Sequence, residues 1–459
     1  VESGGSLTAS GNAEADNVVA SSGGKLYVSS GGLINGTDSS DGGTVYVLKG
    51  GVSSDSIGGL RISAGGESVS ASTTANSTIY VYKSGVASDT TIQGTSGIVR
   101  VSSGGEALDT TVKSGAYLWV SSGGYASGVT VLESGGYIGV SSGAVASDVT
   151  IDGGSGRISG YGEDYTLSDG AYIWISSGGI LSNAIFDTNA SAFMSNGATV
   201  DVVVVKNGAT LNVSAGAQTI DATVLAGGTQ LVAGATVSSV ISSGGLDILT
   251  SGATGSADIV SEGGLEIVSA GATVSDETVF SGGELVVVAG ASASGLVNSG
   301  GEIVSAGAIL FSSGAFVSAI PLEAGDISSV SVISGLTLEV FSGVLIDDVQ
   351  DQGTVVIDQG ASAEDASVQS GASLDVRGQA SGTIVLAGGV EGVEAGAVSV
   401  DGEVKSGGIE SVAGEVSGFS VEAAGSLNVS SGGVASGDTV VAGSVEIIWS
   451  GGSAVDETI

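Results

Sequence analysis

The sequence predicts an all-β chain wound as a right-handed parallel β-helix with turns of about 19 residues. Three observations predict it: one short motif recurs at near-constant spacing, apolar residues alternate within it, and glycine pairs punctuate it. "VSSGG" occupies Val28–Gly32, Val101–Gly105, Val120–Gly124 and Val429–Gly433, and "ISSGG" occupies Ile175–Gly179 and Ile241–Gly245. The glycine pairs at 244–245, 263–264, 282–283 and 300–301 step by 19, 19 and 18 residues. Self-similarity at such a period marks a solenoid.

Within a period, "YLWVS" (117–121), "LDIL" (246–249) and "LEIV" (265–268) alternate an apolar with a variable residue, the pattern of a strand with one face inward. Gly-Gly, Ser-Gly or Gly-Ala bounds each run, where the chain bends and glycine adopts positive φ without strain. No stretch carries helical periodicity. At about 19 residues per turn the 459 residues give about 24 turns, and at ~4.8 Å per turn a rod ~115 Å long. The single proline, Pro321, suits a chain whose ladders need every backbone N–H. It lies in the stretch 318–340, which keeps the repeat poorly. The expected organisation is therefore solenoid repeats over 1–317, tyrosine-rich in their first half, an irregular joint at 318–340, and solenoid repeats over 341–459.

Glycine makes up 82 of 459 residues, yet a mean hydropathy of +0.44 argues against disorder. Cysteine and histidine are both absent, which excludes disulfides and removes the usual general base at neutral pH. The net charge of −38, from 48 acids and 10 bases, excludes a nucleic-acid footprint and disfavours anionic membrane surfaces. No apolar run approaches the ~20 residues of a membrane span. With no signal peptide visible at Val1, the sequence is expected to be a processed or excised segment.

The run "TVKSGAYLWVSSGGYASGVTVLESGGYIGVSSGAVASDVT" (111–150) resembles the repeats of AIDA-type self-associating autotransporter adhesins. The resemblance implies an extracellular β-helical passenger on a Gram-negative surface that mediates adhesion, self-association and biofilm formation. Its implied partner is a second copy of itself, with glycans or a host surface as further partners; no cofactor or metal is implied. Repeat serines carry heptose in that family, which makes Ser121 and Ser122 glycosylation candidates. The sequence departs from the family in lacking both a signal sequence and a translocator barrel.

The outward position of the strand before "SSGG" is expected to carry Tyr27, Tyr46, Tyr80, Trp119 and Trp174, and in later repeats Asp247, Glu266 and Asp375. Exposed flat rings stack on sugars or pack against a second rod; alternatively they stabilise the sheet by cross-strand contact alone. Adjacent acids (Glu163-Asp164, Asp276-Glu277, Asp347-Asp348, Glu364-Asp365, Asp456-Glu457) point to opposite faces of a strand and do not form acid/base dyads. No catalytic site is expected. Calcium bridging stacked Asp247 and Glu266 is one reading; without an EF-hand loop or RTX nonapeptide, solvated acids are the simpler one. The S-x-x-K match at Ser22–Lys25 and the five N-x-S/T sequons are chance in so Ser-rich a chain.

Ser450–Ile459 followed by Val1–Gly5 reproduces the pattern of Ser122–Gly136. Head-to-tail stacking would bring Asp456, Glu457, Thr458 and Ile459 against Val1, Glu2, Ser3, Gly4 and Gly5, a non-closing contact that makes fibres. A segment trimmed at repeat boundaries would show the same phasing. The expected function is a non-enzymatic structural adhesin that associates with itself chiefly by head-to-tail stacking of solenoid ends into fibres. The alternatives are a passenger that associates laterally or binds glycans without fibres, and a polysaccharide-degrading β-helix enzyme.

Overall fold

Each turn of the chain in the computed structural model is a set of short strands joined at corners that only certain residues can make. The structure describes all residues except 134, 289, 305–306, 313–314, 322–326 and 329, and between 305 and 329 it describes backbone alone. A representative turn runs along Tyr117–Val120, rounds a corner at Ser121–Gly124, follows Tyr125–Leu132 with a bend at Gly128, and returns at Tyr137–Val140.

The glycine pairs divide their labour. Gly263 has φ 73, which a side chain rarely tolerates. Gly264 backs onto the preceding turn, where an added Cβ would strike the Ile241 carbonyl oxygen. The bend inside the long strand needs one left-handed residue, and aspartate supplies it repeatedly: Asp89, Asp109, Asp148 and Asp276 have φ of 50, 50, 52 and 61. Asp and Asn tolerate this conformation because their short polar side chains bond locally.

Successive turns stack in parallel register. Leu118 pairs with Ile138 and Val120 with Val140; further on, Leu246 pairs with Leu265 and Leu249 with Val268. The second and fourth residues of each such strand point inward, so Val99, Leu118 and Ile138 form one buried column and Val101, Val120 and Val140 another. Parallel strands one step apart lie ~4.8 Å from each other, which brings these methyl groups into contact.

The described chain divides into two compact units, 1–286 with 291–303 and 287–290 with 304–459. The first holds all but the last residues of a 17-stranded sheet that runs from Ser6–Ala9 to Glu302–Val304. The second contains sheets of 9, 8 and 7 strands. There Gly307–Ser312 lies antiparallel to both Ala315–Pro321 and Leu336–Val340, while the later strands stack in parallel. Pro321 ends its strand opposite Gly307, a position that costs no interior ladder bond. The joint expected at 318–340 includes 322–326 and 329, which lie outside the described residues. Among the described residues there is no helix, hence none long and apolar enough to cross a membrane.

Candidate functional site

All five nominated aromatics fall in one outward column of the 17-stranded sheet. Register carries Tyr27 to Tyr46, Arg61, Tyr80, Arg100 and Trp119, then to Gly139, Arg157, Trp174 and Phe193. The rings touch along it. Tyr27 and Tyr46 stack with centroids 4.9 Å apart, and Trp174 and Phe193 stack at 6.2 Å. Trp119 lies over Gly139, where an added Cβ would strike its ring, and meets Tyr137 at 5.0 Å.

Sequence reasoning missed the arginines between the rings. Three of the four arginines in the chain, Arg61, Arg100 and Arg157, occupy this column. The Arg61 guanidinium sits 4.9 Å from the Tyr80 ring centroid and donates to Tyr82 Oη at 3.0 Å. Arg157 Nε donates to Ser176 Oγ at 2.8 Å, and Trp174 Nε1 to Ser195 Oγ at 2.8 Å. The signal was the 19-residue spacing itself: Arg61 to Tyr80 and Arg100 to Trp119 are each one turn.

Asp247 and Glu266 correct the expectation. They are not outward but 0% exposed, pointing into the solenoid, and their column is that of Leu118 and Ile138 rather than of Trp119. The corner sets the register. Counting from the second glycine of Gly244-Gly245 or Gly263-Gly264, the second residue, Asp247 or Glu266, faces in, whatever its polarity. Asp375 stands third after Ala372, faces outward, and bonds Arg377 at 2.7 Å. Solvated acids are therefore not what this stretch contains.

Two further buried acids face the first two. Asp258 and Glu277 precede the paired strand residues Ile259 and Thr278, and both are 0% exposed. One carboxylate oxygen from each of Asp258, Glu266 and Glu277 lies within 4.8 Å of the other two. Below them, Gln230 Nε2 donates to Asp247 Oδ2 at 3.1 Å and to Thr236 Oγ1 at 3.2 Å, and the Ser239 N–H donates to Asp258 Oδ1 at 2.6 Å. Burial, with mutual repulsion added for Asp247, Glu266 and Glu277, pushes all four carboxyls up, Asp258 to about 7 and Glu277 to about 9.

The adjacent acid pairs have one explanation. In each, one member makes the left-handed bend: Asp164, Asp276, Asp348, Asp365 and Asp456 have φ of 56, 61, 52, 51 and 56. In Asp276-Glu277 the bend leaves the first acid exposed and the second buried. Ser121 and Ser122 are exposed at a corner, where the Ser121 carbonyl accepts from the Gly124 N–H at 2.8 Å.

Val1 to Gly5 and Asp456 to Ile459 each join the coil beside them. The Val1 ammonium donates to the Val19 carbonyl at 2.5 Å, and the Gly4 N–H to the Gly23 carbonyl at 3.4 Å. At the other end Val440 N–H donates to the Thr458 carbonyl at 2.8 Å, and Glu457 Oε2 accepts from the Asp438 N–H at 3.0 Å.

No family model and no curated protein matches the chain. Among solved structures it is similar to a TibC-catalyzed hyper-glycosylated TibA fragment, at 26% identity and TM-score 0.49 over 63% of this chain and 96% of that one. It is similar also to the PL6 family alginate lyase AlyGC, at 7% identity and TM-score 0.25 over 100% and 97%. The Dettilon tailspike protein follows at 11% identity and TM-score 0.14 over 81% and 61%. With every TM-score below 0.5, the fold assignment stands on the strand register alone.

Proposed function

We propose that the chain is an extracellular structural adhesin, non-catalytic, that associates with copies of itself through the outer face of the parallel sheet. The observation that carries this reading is the continuous outward column in which Tyr27, Tyr46, Tyr80, Trp119 and Trp174 alternate with Arg61, Arg100 and Arg157. A flat sheet edged with stacked rings offers large contact area at low entropic cost. Its arginines stand out on a chain of net charge −38, so the face complements the acid-lined bends of a second copy. Sugar rings suit the same surface, and the exposed Ser121 and Ser122 are where glycans would be attached.

The buried acids speak against catalysis by that cluster. Glycoside and uronate chemistry needs carboxyls that touch substrate, and Asp258, Glu266 and Glu277 are shut inside the coil.

The test is light scattering and negative-stain microscopy of the purified chain beside a Trp119→Ala/Trp174→Ala/Arg100→Glu variant. Lateral bundles that dissolve at high salt and vanish in the variant are expected. Fibres one coil wide that survive the variant would move the contact to the ends of the chain. Discrete single chains at every concentration would end the self-association reading, and release of reducing ends from an acidic polysaccharide would replace it with an enzyme.

A further inference from the structure

A dry protein interior accepts a carboxylate only when something neutralises it. The coils between Gln230 and Glu277 hold four, and none contacts a lysine or arginine among the described ion pairs. The hydrogen bonds stop short of the upper pair. Asp258 Oδ1 is satisfied by the Ser239 N–H and Asp247 Oδ2 by Gln230, but both oxygens of Glu266 and both of Glu277 are buried without a donor. Asp258 Oδ2, Asp247 Oδ1 and the Gln230 amide oxygen are buried and unpartnered too. Seven buried oxygens thus lie here without a hydrogen-bond partner, and the Gln230 amide and the Ser239 N–H beside them are already engaged.

We propose that this interior step is a built-in site for a hard divalent cation of the calcium class, held between Asp258, Glu266 and Glu277 with oxygens from Asp247 and Gln230 within the same pair of columns. Calcium takes six to eight oxygens at about 2.3–2.6 Å, so two oxygens across one ion stand up to roughly 5 Å apart. The three carboxylates meet that condition at 4.8 Å or less. The donor chemistry is all oxygen, with no cysteine or histidine in the chain to favour a softer metal. Gly255 makes room: a Cβ there would stand 3.1 Å from Asp258 Oδ2 and 2.9 Å from Leu249 Cδ2. Because the site is closed on all sides, the ion enters as the coils stack and stays as a rivet between two turns, coupling metal uptake to folding.

The full chain is unfolded in denaturant with chelator, refolded in parallel in calcium and in chelator, and freed of loose ions by gel filtration. Elemental analysis and thermal unfolding are then compared with a Glu266→Gln/Glu277→Gln variant, whose amides keep the shape, and with Asp276→Asn, which alters only the exposed neighbour. The calcium-refolded protein should retain one more ion per chain than the double variant, and chelator should lower its unfolding midpoint by several degrees while leaving the variant unmoved. Asp276→Asn should behave as the native chain. Should the double variant not fold, Glu266→Gln alone is put through the same ion count. Equal ion content in native and variant chains, loss of the ion on Asp276→Asn, or a native chain that refolds without retaining calcium, magnesium or manganese would each overturn the proposal. Protons would then be what neutralises the four acids.

Discussion

The coils around Glu266 and those around Glu410 follow the same plan and end in different interiors. In both, a glutamate stands second after a glycine pair and points inward, fully buried. In the first unit the residues across the coil at the matching steps are Asp258 and Glu277. In the second they are Gly402 and Phe419, with the Phe419 ring packed where a Gly402 side chain would otherwise be. The acids Glu391 and Glu410 of the second unit stand in one column only. They are paired one step apart in that inward column, where Ser399 Oγ donates to Glu391 Oε1 at 2.9 Å and both oxygens of Glu410 are buried without a partner. At these steps of the second unit one column of acids therefore faces a glycine and a phenyl ring; in the first, two columns of acids face each other.

The largest effect should come from erasing the difference. Phe419→Asp removes a buried ring and sets a carboxylate against Glu410, a change that should cost the second unit roughly 3–5 kcal/mol for the ring alone and that unfolding calorimetry measures. Next comes pH. Burial raises Glu391 to about 7, and burial together with Glu391 and Asp438 raises Glu410. A carboxyl whose folded value is raised stabilises the fold fully below its unfolded value near ~4.3 and loses that stability as pH rises through the folded value. The native chain should thus weaken as pH rises from roughly 4 through 7 and beyond, and Glu391→Gln/Glu410→Gln should flatten that slope in midpoint-against-pH measurements, with Thr383, Ser399 and Asp438 as the polar groups left facing the pair. Smaller still is Gly402→Ala, whose Cβ would strike the Phe419 ring; a loss of about 1–3 kcal/mol is expected. Asp276→Asn, at an exposed bend that asparagine also tolerates, should stay within ~0.5 kcal/mol.

Periodicity made the stacked coils legible, because a 19-residue repeat of glycine pairs admits few other structures. It also placed Tyr27, Tyr46, Tyr80, Trp119 and Trp174 on one face. What failed was the choice of face for Asp247 and Glu266. Polarity was trusted where position rules: the corner fixes which residue points inward, and a carboxyl at that position goes in with the rest. The facing partners Asp258 and Glu277 were illegible for a different reason. They lie after a bend made by Ala257 or Asp276 in the left-handed conformation, which breaks the simple alternation on which inward and outward were assigned. The same bend accounts for the doubled acids, whose first or second member is there for its backbone.

Carbodiimide labelling of carboxyls in the folded chain, read by mass spectrometry, examines this most directly. Asp276 and Glu277 are neighbours in sequence, the first exposed and the second 0% exposed. Asp276, Asp148 and Glu262 should label quickly while Asp247, Asp258, Glu266, Glu277, Glu391 and Glu410 stay unmodified until the chain unfolds. Labelling of Glu266 and Glu277 at the rate of Asp276 would put those carboxyls on the outside and contradict the inward register.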